Sequence, residues 1–459
     1  MGPVSRGRSG SIISLELGAL IWTLCYSARI MKLCFLPRLI YSVIFYLLTP
    51  VILLRLLYRA IEAPAYTERW LQRFGFFTPS ESGRETIWLH AVSVGETLAA
   101  VPLVKALQAN YPGHRLLISC MTPTGSERII AAFGNSVDHS YAPYDTPDAV
   151  ARFIQRVQPK ILIIMETELW PNTVAACYKR QIPVILANAR LSEKSARGYG
   201  RVSGLSRPMF SQLTAVAAQH GDDGARFTAL GLPEANLHIS GNIKFDLDLN
   251  AQLRQSAETL RQQWSGASQR SILLAASTHR GEDEIILQAF SLIKQSIDNA
   301  LLVLVPRHPE RFNPVADLCL DAGYSLARRS SNDQVEPVDI LLGDTMGELM
   351  TFFGACDIAF VGGSLVANGG HNMIEPAAWG KPTLSGLSVF NFAEVSRLLA
   401  EAGGLTLVED ADVLAKTVIE LFENPDQAQQ MGQQAQSVAE ANRGALDKLL
   451  TVIDNSLSG

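Results

Sequence analysis

Residues 86–96 read TIWLHAVSVGE, and residues 97–107 continue as TLAAVPLVKAL. The opening run is apolar and β-rich without alternation, which is the pattern of a strand buried on both faces. A polar turn with Ser93, Gly95 and Glu96 follows, and then a helix-forming stretch. A doubly buried strand feeding a helix through a short turn is the repeating unit of a parallel α/β sheet.

The same rhythm returns along the chain. In the first half the pattern predicts strands over 86–92, 115–121, 160–165, 183–188 and 214–219, with helices over 97–110, 147–158 and 192–213. It pauses at NIKFDLDLNA (242–251) and resumes with strands over 271–276, 301–305, 340–342, 357–361 and 381–384. The expectation is two α/β domains of similar size, 58–240 and 241–459, with a linker near 241–255. Two such sheets facing each other bring their strand carboxyl ends to a shared cleft, where ligands bind in this architecture.

Composition narrows the function. The 459 residues are 47% hydrophobic and 18% charged, with a net charge of -5. Residues 1–80 carry nine Lys/Arg against three Asp/Glu, so the remainder is markedly acidic. An acidic body argues against nucleic acid as a partner. Six scattered cysteines without a CxxC pair fit reduced, buried thiols.

The basic amino end points to a membrane. Residues 33–54, LCFLPRLIYSVIFYLLTPVILL, match the roughly 20 apolar residues that cross a bilayer. They place an anchor helix over 32–57, followed by Arg55, Arg59, Arg69 and Arg73 as a basic collar for an anionic membrane surface. Residues 1–31 read as an extension. If translation begins at Met31, two cations precede the span and four follow it, which puts the carboxyl side in the cytoplasm.

Chemistry-bearing residues cluster where strands end. Ser93-x-x-Glu96 has capping-box spacing, in which both side chains satisfy amides of a first helical turn. The functional alternative is a Glu96 that takes a proton from a hydroxyl, with Gly95 permitting close approach of substrate. Glu166 and Glu168 follow KILIIM (160–165), placed to position sugar hydroxyls or to serve as a solvated acid and a cap. Ser277, Thr278 and His279 follow SILLAA, while Arg307 and His308 follow LLVLVP. Hydroxyls and cations at adjacent strand ends suit an anionic ligand.

Met346, Gly347 and Glu348 lead into a further helix. The glycine clusters Gly362-Gly363-Ser364 and Gly369-Gly370-His371-Asn372 precede MIEPAAWG (373–380). A glycine turn entering a helix offers free amides to an anion, and Glu375 can accept from ribose hydroxyls. His371 and Glu375 lack a third ligand, so no metal is expected. Two other readings share these features: a different sugar-nucleotide enzyme, such as an epimerase or hexosaminyl transferase, or a membrane-bound scaffold without catalysis.

Taken in order, HAVSVGE, ETELWP, STHRGED, RHPER, DTMGEL, GGS and GGHNMIEPAAWGKP resemble the 3-deoxy-D-manno-octulosonic acid (Kdo) transferases of lipopolysaccharide assembly, from about Tyr58 to the carboxyl end. The resemblance implies a glycosyltransferase of the B-type fold: two Rossmann-like domains facing a cleft, behind an anchor on the cytoplasmic face of the inner membrane. It implies a CMP-Kdo donor, a lipid A precursor (lipid IVA) as acceptor, inversion, and no cofactor. Glu96 would be the catalytic base on the acceptor side. The implied substrate-binding set is Ser93, Gly95, Glu166 and Glu168 in the first domain. In the second it is Ser277, Thr278, Arg307, His308, Met346, Gly347, Glu348, Gly362, Gly363, Ser364, Asn372 and Glu375.

Overall fold

The computed structural model describes residues 11–62, 64–80, 83–266, 269–331, 335 and 338–458. The first ten residues of the expected extension lie outside that set, as do the side chains of residues 11–35. The chain forms two compact units. One comprises Met1–Ile243 with Gly444–Gly459, and the other Lys244–Arg443.

In the first unit, helix α1 (Ser11–Glu62) precedes an alternating series. Its strands are β1 (Thr86–His90), β2 (Arg115–Cys120), β3 (Asp138–Tyr141), β4 (Pro159–Met165), β5 (Val184–Ala189), β6 (Ala215–Ala218) and β7 (Leu237–Ile239). The helices between them are α2 (Val94–Asn110), α3 (Pro123–Phe133), α4 (Pro147–Val157), α5 (Pro171–Lys179), α6 (Glu193–Arg201), α7 (Ser203–Ser211) and α8 (Gly221–Ala229). All pairings are parallel, in the order β3-β2-β1-β4-β5-β6-β7. Side chains along each strand alternate between two cores. Ile87 and Leu89 enter one with Ile163 and Ile185, and Trp88 enters the other with Leu162 and Phe153. That double burial is why β1 shows no polar alternation.

The second unit repeats the plan. It contains α9 (Ala251–Ser265), β8 (Ile272–Thr278), α10 (Asp283–Ser296), β9 (Leu301–Pro306), α11 (Phe312–Asp321), β10 (Leu326–Arg328), β11 (Ile340–Leu342), α12 (Leu349–Ala355) and β12 (Ile358–Val361). Then come α13 (Ile374–Ala378), β13 (Thr383–Ser385), α14 (Ala393–Glu401), β14 (Leu405–Leu407), α15 (Ala411–Glu423) and α16 (Pro425–Ala441). This sheet is also parallel, in the order β10-β11-β9-β8-β12-β13-β14. Within it β11 inserts between β9 and β10. The strand order turns about β1/β4 in the first sheet and about β8/β12 in the second, where the chain continues on opposite sides of the first strand. Loops diverge there at the carboxyl ends of the strands and leave room for a ligand.

The structure differs from the expected layout in three places. First, the chain after Gly444 does not stay with the second unit. Helix α17 (Ala445–Ser458) lays Ala445, Leu449, Val452 and Ile453 into the core under β4, β5 and β6. Their spacing is that of one apolar helix face. Second, the helix expected over 192–213 breaks at Val202, whose ψ of 38 ends α6. Gly198, Gly200 and Gly204 weaken helix on both sides of that break.

Third, Arg73 is no part of a solvent-facing collar. It is 2% exposed, its guanidinium lies 4.2 Å from the Tyr141 ring centroid, and one nitrogen donates to Met121 O at 3.1 Å. The planar cation stacks on the aromatic face and uses its stem as packing.

Helix α1 is docked along one flank. Ser42 Oγ meets Asn172 of α5, Tyr46 Oη donates to Asp148 Oδ1 of α4 at 2.6 Å, and the Phe45 ring stands edge-on to Trp170. The other flank is apolar and open, with Leu47 72%, Leu54 66% and Tyr58 71% exposed. Leu36–Ile61 is long and apolar enough to cross a membrane, with a mean hydropathy of 2.1.

Candidate functional site

Glu96 sits one turn beyond β1, at the first reversal point. Ser93 caps α2: its Oγ accepts from Glu96 N–H at 3.2 Å and donates to Glu96 Oε1 at 2.8 Å. Val92 N–H donates to Oε2 at 2.8 Å. Ser93 thus satisfies the Glu96 amide that a helix start leaves open, while the Glu96 carboxylate reaches past the cap residue's amide to that of Val92. The result is a variant of the expected capping box.

It does not settle Glu96's ionisation. The side chain is 7% exposed, and burial pushes its carboxyl up to about 7. The bonds from Val92 and Ser93 act in the opposite direction, while Glu166 and Glu168 add to the rise. The lowering expected from a helix start is thus outweighed by desolvation. A carboxylate with a pKa near neutrality is well matched to accept a hydroxyl proton.

The neighbours take different roles. His90 is a core residue, bonded to Ser119 Oγ at 2.9 Å and held down to about 4 by burial. Glu166 follows β4 with φ of 55, an uncommon conformation for a residue with a Cβ. Burial raises the Glu168 carboxyl and Glu166 raises it further. Glu96, Glu166 and Glu168 thus form one acidic cluster at β1/β4. Gly95 is exposed at the start of α2, with only Ser93 Oγ near the position of a Cβ.

At the second reversal point the predicted residues divide into scaffold and open groups. Glu282, which was not among the expected site residues, is fully buried. Its carboxylate accepts from the backbone N–H of His279, Gly363, Ser364 and Leu365, at 2.6 to 2.9 Å. The Gly362–Ser364 turn therefore does not offer the free amides expected of it, because the protein supplies its own anion. Removing that carboxylate would strand four amides, at about 1–3 kcal/mol for each buried group left unpaired.

Ser277 is buried with φ of 58, and Thr278 Oγ1 donates to Asp283 Oδ1 at 2.6 Å. Ser364 Oγ donates to Val361 O and accepts from Gly386 N–H. A Cβ on Gly362 would stand 2.9 Å from Ser277 O, so the strand ends touch there. These residues build the floor of the site.

Arg307 is open. No hydrogen bond or ion pair ties its guanidinium to the described residues, whereas Arg311 is held by Asp283 and Thr278 O. His308 is exposed beside it, with its ring centroid 5.4 Å from that of His279. Asn372 donates to Glu375 Oε1 at 3.1 Å and accepts from Ile374 N–H. Burial raises the Glu375 carboxyl against Asn372 and Arg307.

Further along, Met346 is 55% exposed and Gly347 has φ of 88. Glu348 is paired with Arg329 at 2.7 Å, which holds its carboxyl below the usual range. Among the described residues no cluster of histidine, cysteine and carboxylate ligands fits a metal ion.

The chain has counterparts among known proteins. Residues 68–247 match the family model described as 3-deoxy-D-manno-octulosonic-acid transferase (kdotransferase), and residues 276–438 match glycosyl transferases group 1. A 3-deoxy-D-manno-octulosonic acid transferase of Haemophilus influenzae is 44% identical over 419 residues, covering 91% of this chain and 98% of that protein. One of Bordetella pertussis is 37% identical, over 81% of this chain and 87% of that protein. A solved UDP-GlcNAc 2-epimerase from Neisseria meningitidis superposes with a TM-score of 0.54 at 15% identity, over 81% of this chain and all of that one. That likeness is one of fold alone.

Proposed function

This chain belongs to the 3-deoxy-D-manno-octulosonic acid transferase family, and from that premise we propose how its residues carry out the transfer. The chain is a glycosyltransferase that moves Kdo in lipopolysaccharide core assembly. Its donor is CMP-Kdo and its acceptor a lipid A precursor, lipid IVA. The first unit (the acceptor domain) supplies the base, and the second binds the donor.

Glu96 takes the proton of the acceptor hydroxyl. The oxygen attacks the anomeric carbon of Kdo while the bond to phosphate breaks, its electron pair leaving on a phosphate oxygen of CMP. A single displacement of this kind inverts the anomeric centre. The observation that carries the reading is the buried Glu96 carboxylate, pushed up to about 7 at the first reversal point. The open Arg307 supports it, since departing phosphate needs a cation and this guanidinium has no hydrogen bond or ion pair to the described residues competing for it. Detergent-solubilised protein given CMP-Kdo and a lipid A precursor is expected to release CMP and add Kdo mass to the lipid. Hydrolysis of the donor without lipid product would remove the acceptor assignment.

Membrane attachment follows from α1. A flank bonded to α4 and α5 stays with the protein, so the apolar flank enters the cytoplasmic face of the inner membrane along the helix rather than end-on. Arg55 and Arg59 then meet anionic headgroups, at about 1 kcal/mol each. Replacing both by glutamine is expected to weaken sedimentation with anionic vesicles about tenfold or more at low salt. Unchanged binding would assign attachment to the apolar flank alone.

A further inference from the structure

Three histidines of the second unit stand at the ends of different strands and meet at one point. His279 follows β8, His308 follows β9, and His371 lies between β12 and α13. Nε2 of His279 is 2.8 Å from Nε2 of His371. Gly363 makes room for this contact: it has φ of +70, and a Cβ there would stand 2.9 Å from His371 Cδ2. Both backbone and ring therefore require glycine at that position.

Two Nε2 atoms at this distance bond only if one carries a hydrogen and the other offers its lone pair. When both rings are neutral, the donating ring is bare at Nδ1 and the accepting ring is protonated there. One further proton can settle on the bare Nδ1 without disturbing the N–H···N bond. A second proton cannot, because it would need the accepting lone pair. The pair can thus hold one positive charge and remain a pair.

The groups facing it set when that charge appears. Glu282 holds the His279 backbone, Arg307 and His308 approach from beyond β9, and Arg311 is bound to Asp283. Glu375 lies on the Arg307 side. Burial, followed by Arg307, His279 and His308, holds His371 down to about 4. His279 is lowered first by burial, with Glu282 opposing. With no ligand bound, the pair is neutral at physiological pH. A bound phosphate supplies the negative charge that reverses these influences.

We propose that the His279–His371 pair is an anion ligand of the donor site that takes up one proton when the phosphate binds and keeps it while CMP departs. This rests on the reading that the second unit binds CMP-Kdo. The charge arrives where transfer needs it. Breaking the sugar–phosphate bond turns a phosphodiester into a monoester, whose phosphate carries additional negative charge. The imidazolium and Arg307 face that charge together.

The test is calorimetry of CMP binding to the full chain near pH 7, in buffers of different ionisation enthalpy, for the wild type, His371→Gln and His279→Gln. Glutamine reaches a similar position, hydrogen-bonds and takes no proton. The wild type is expected to take up a substantial fraction of a proton beyond either variant, and each variant to bind CMP about tenfold or more weakly. Protonation of CMP itself is common to all three proteins and cancels in the comparison. Thermal melts exclude a misfolded variant, and either folded variant decides the result. Equal proton uptake in all folded proteins overturns the pair's role and leaves CMP binding standing. Absence of CMP binding by the wild type overturns both.

Discussion

Glu96→Gln is expected to lower Kdo transfer about 10²–10⁴-fold while leaving the chain folded, the range associated with loss of a positioned proton acceptor. The glutamine oxygen can still accept from Val92 or Ser93, so most of the α2 cap survives. In the wild type the rate should rise with pH and level off above about 7, where burial places the carboxyl. The variant should lose that slope.

Stability runs in the opposite direction. The folded value is raised above the usual 4.5, so the stability this group contributes is present below 4.5 and lost as pH rises through about 7. Thermal melts across that window should show a decline in the wild type that is smaller in Glu96→Gln. Full turnover with a lowered melting point would reduce Glu96 to a cap.

Arg307→Ala is expected to lower kcat/KM for the donor about 10²–10³-fold, the cost of removing a preformed donor from developing phosphate charge. Its melting point should hardly change, since the guanidinium makes no hydrogen bond or ion pair with the described residues. Arg311→Ala is the comparison, because Arg311 is bound to the buried Asp283 and to Thr278 O and its loss should destabilise the unit. Steady-state kinetics with CMP-Kdo and CMP titration check both. Unchanged CMP affinity in Arg307→Ala would move the phosphate elsewhere.

The interior of each sheet is legible in the sequence and its margins are not. Strands such as TIWLH and LLVLVP are buried throughout and mostly apolar because both faces are covered, and their spans fall within a few residues of expectation. The strands that leave no such trace are β3, β7, β10 and β14, the four sheet edges. They are three or four residues long and carry polar or half-exposed positions, DHSY being one. Short polar edges resist pairing with other chains, and the same property hides them.

The site divides in the same way. Ser93 and Glu96 are three residues apart, so their bond shows in the spacing. Glu282 binds amides 81 to 83 positions away, and the paired histidines are 92 apart. No local pattern carries that information, although STHRGED, RHPER and GGHN each place a histidine beyond a strand.

The return of α17 to the first unit bears on how the chain is made. Synthesis delivers residues 244–443 before the segment that covers the underside of β4, β5 and β6. The second unit has its whole sequence in hand while the first still exposes Ile163, Ile185 and Ala215. The order of manufacture is therefore not the order of completion, and the half begun first closes last. A cut at residue 443 would harm the unit that holds Glu96 rather than the one it adjoins in the chain.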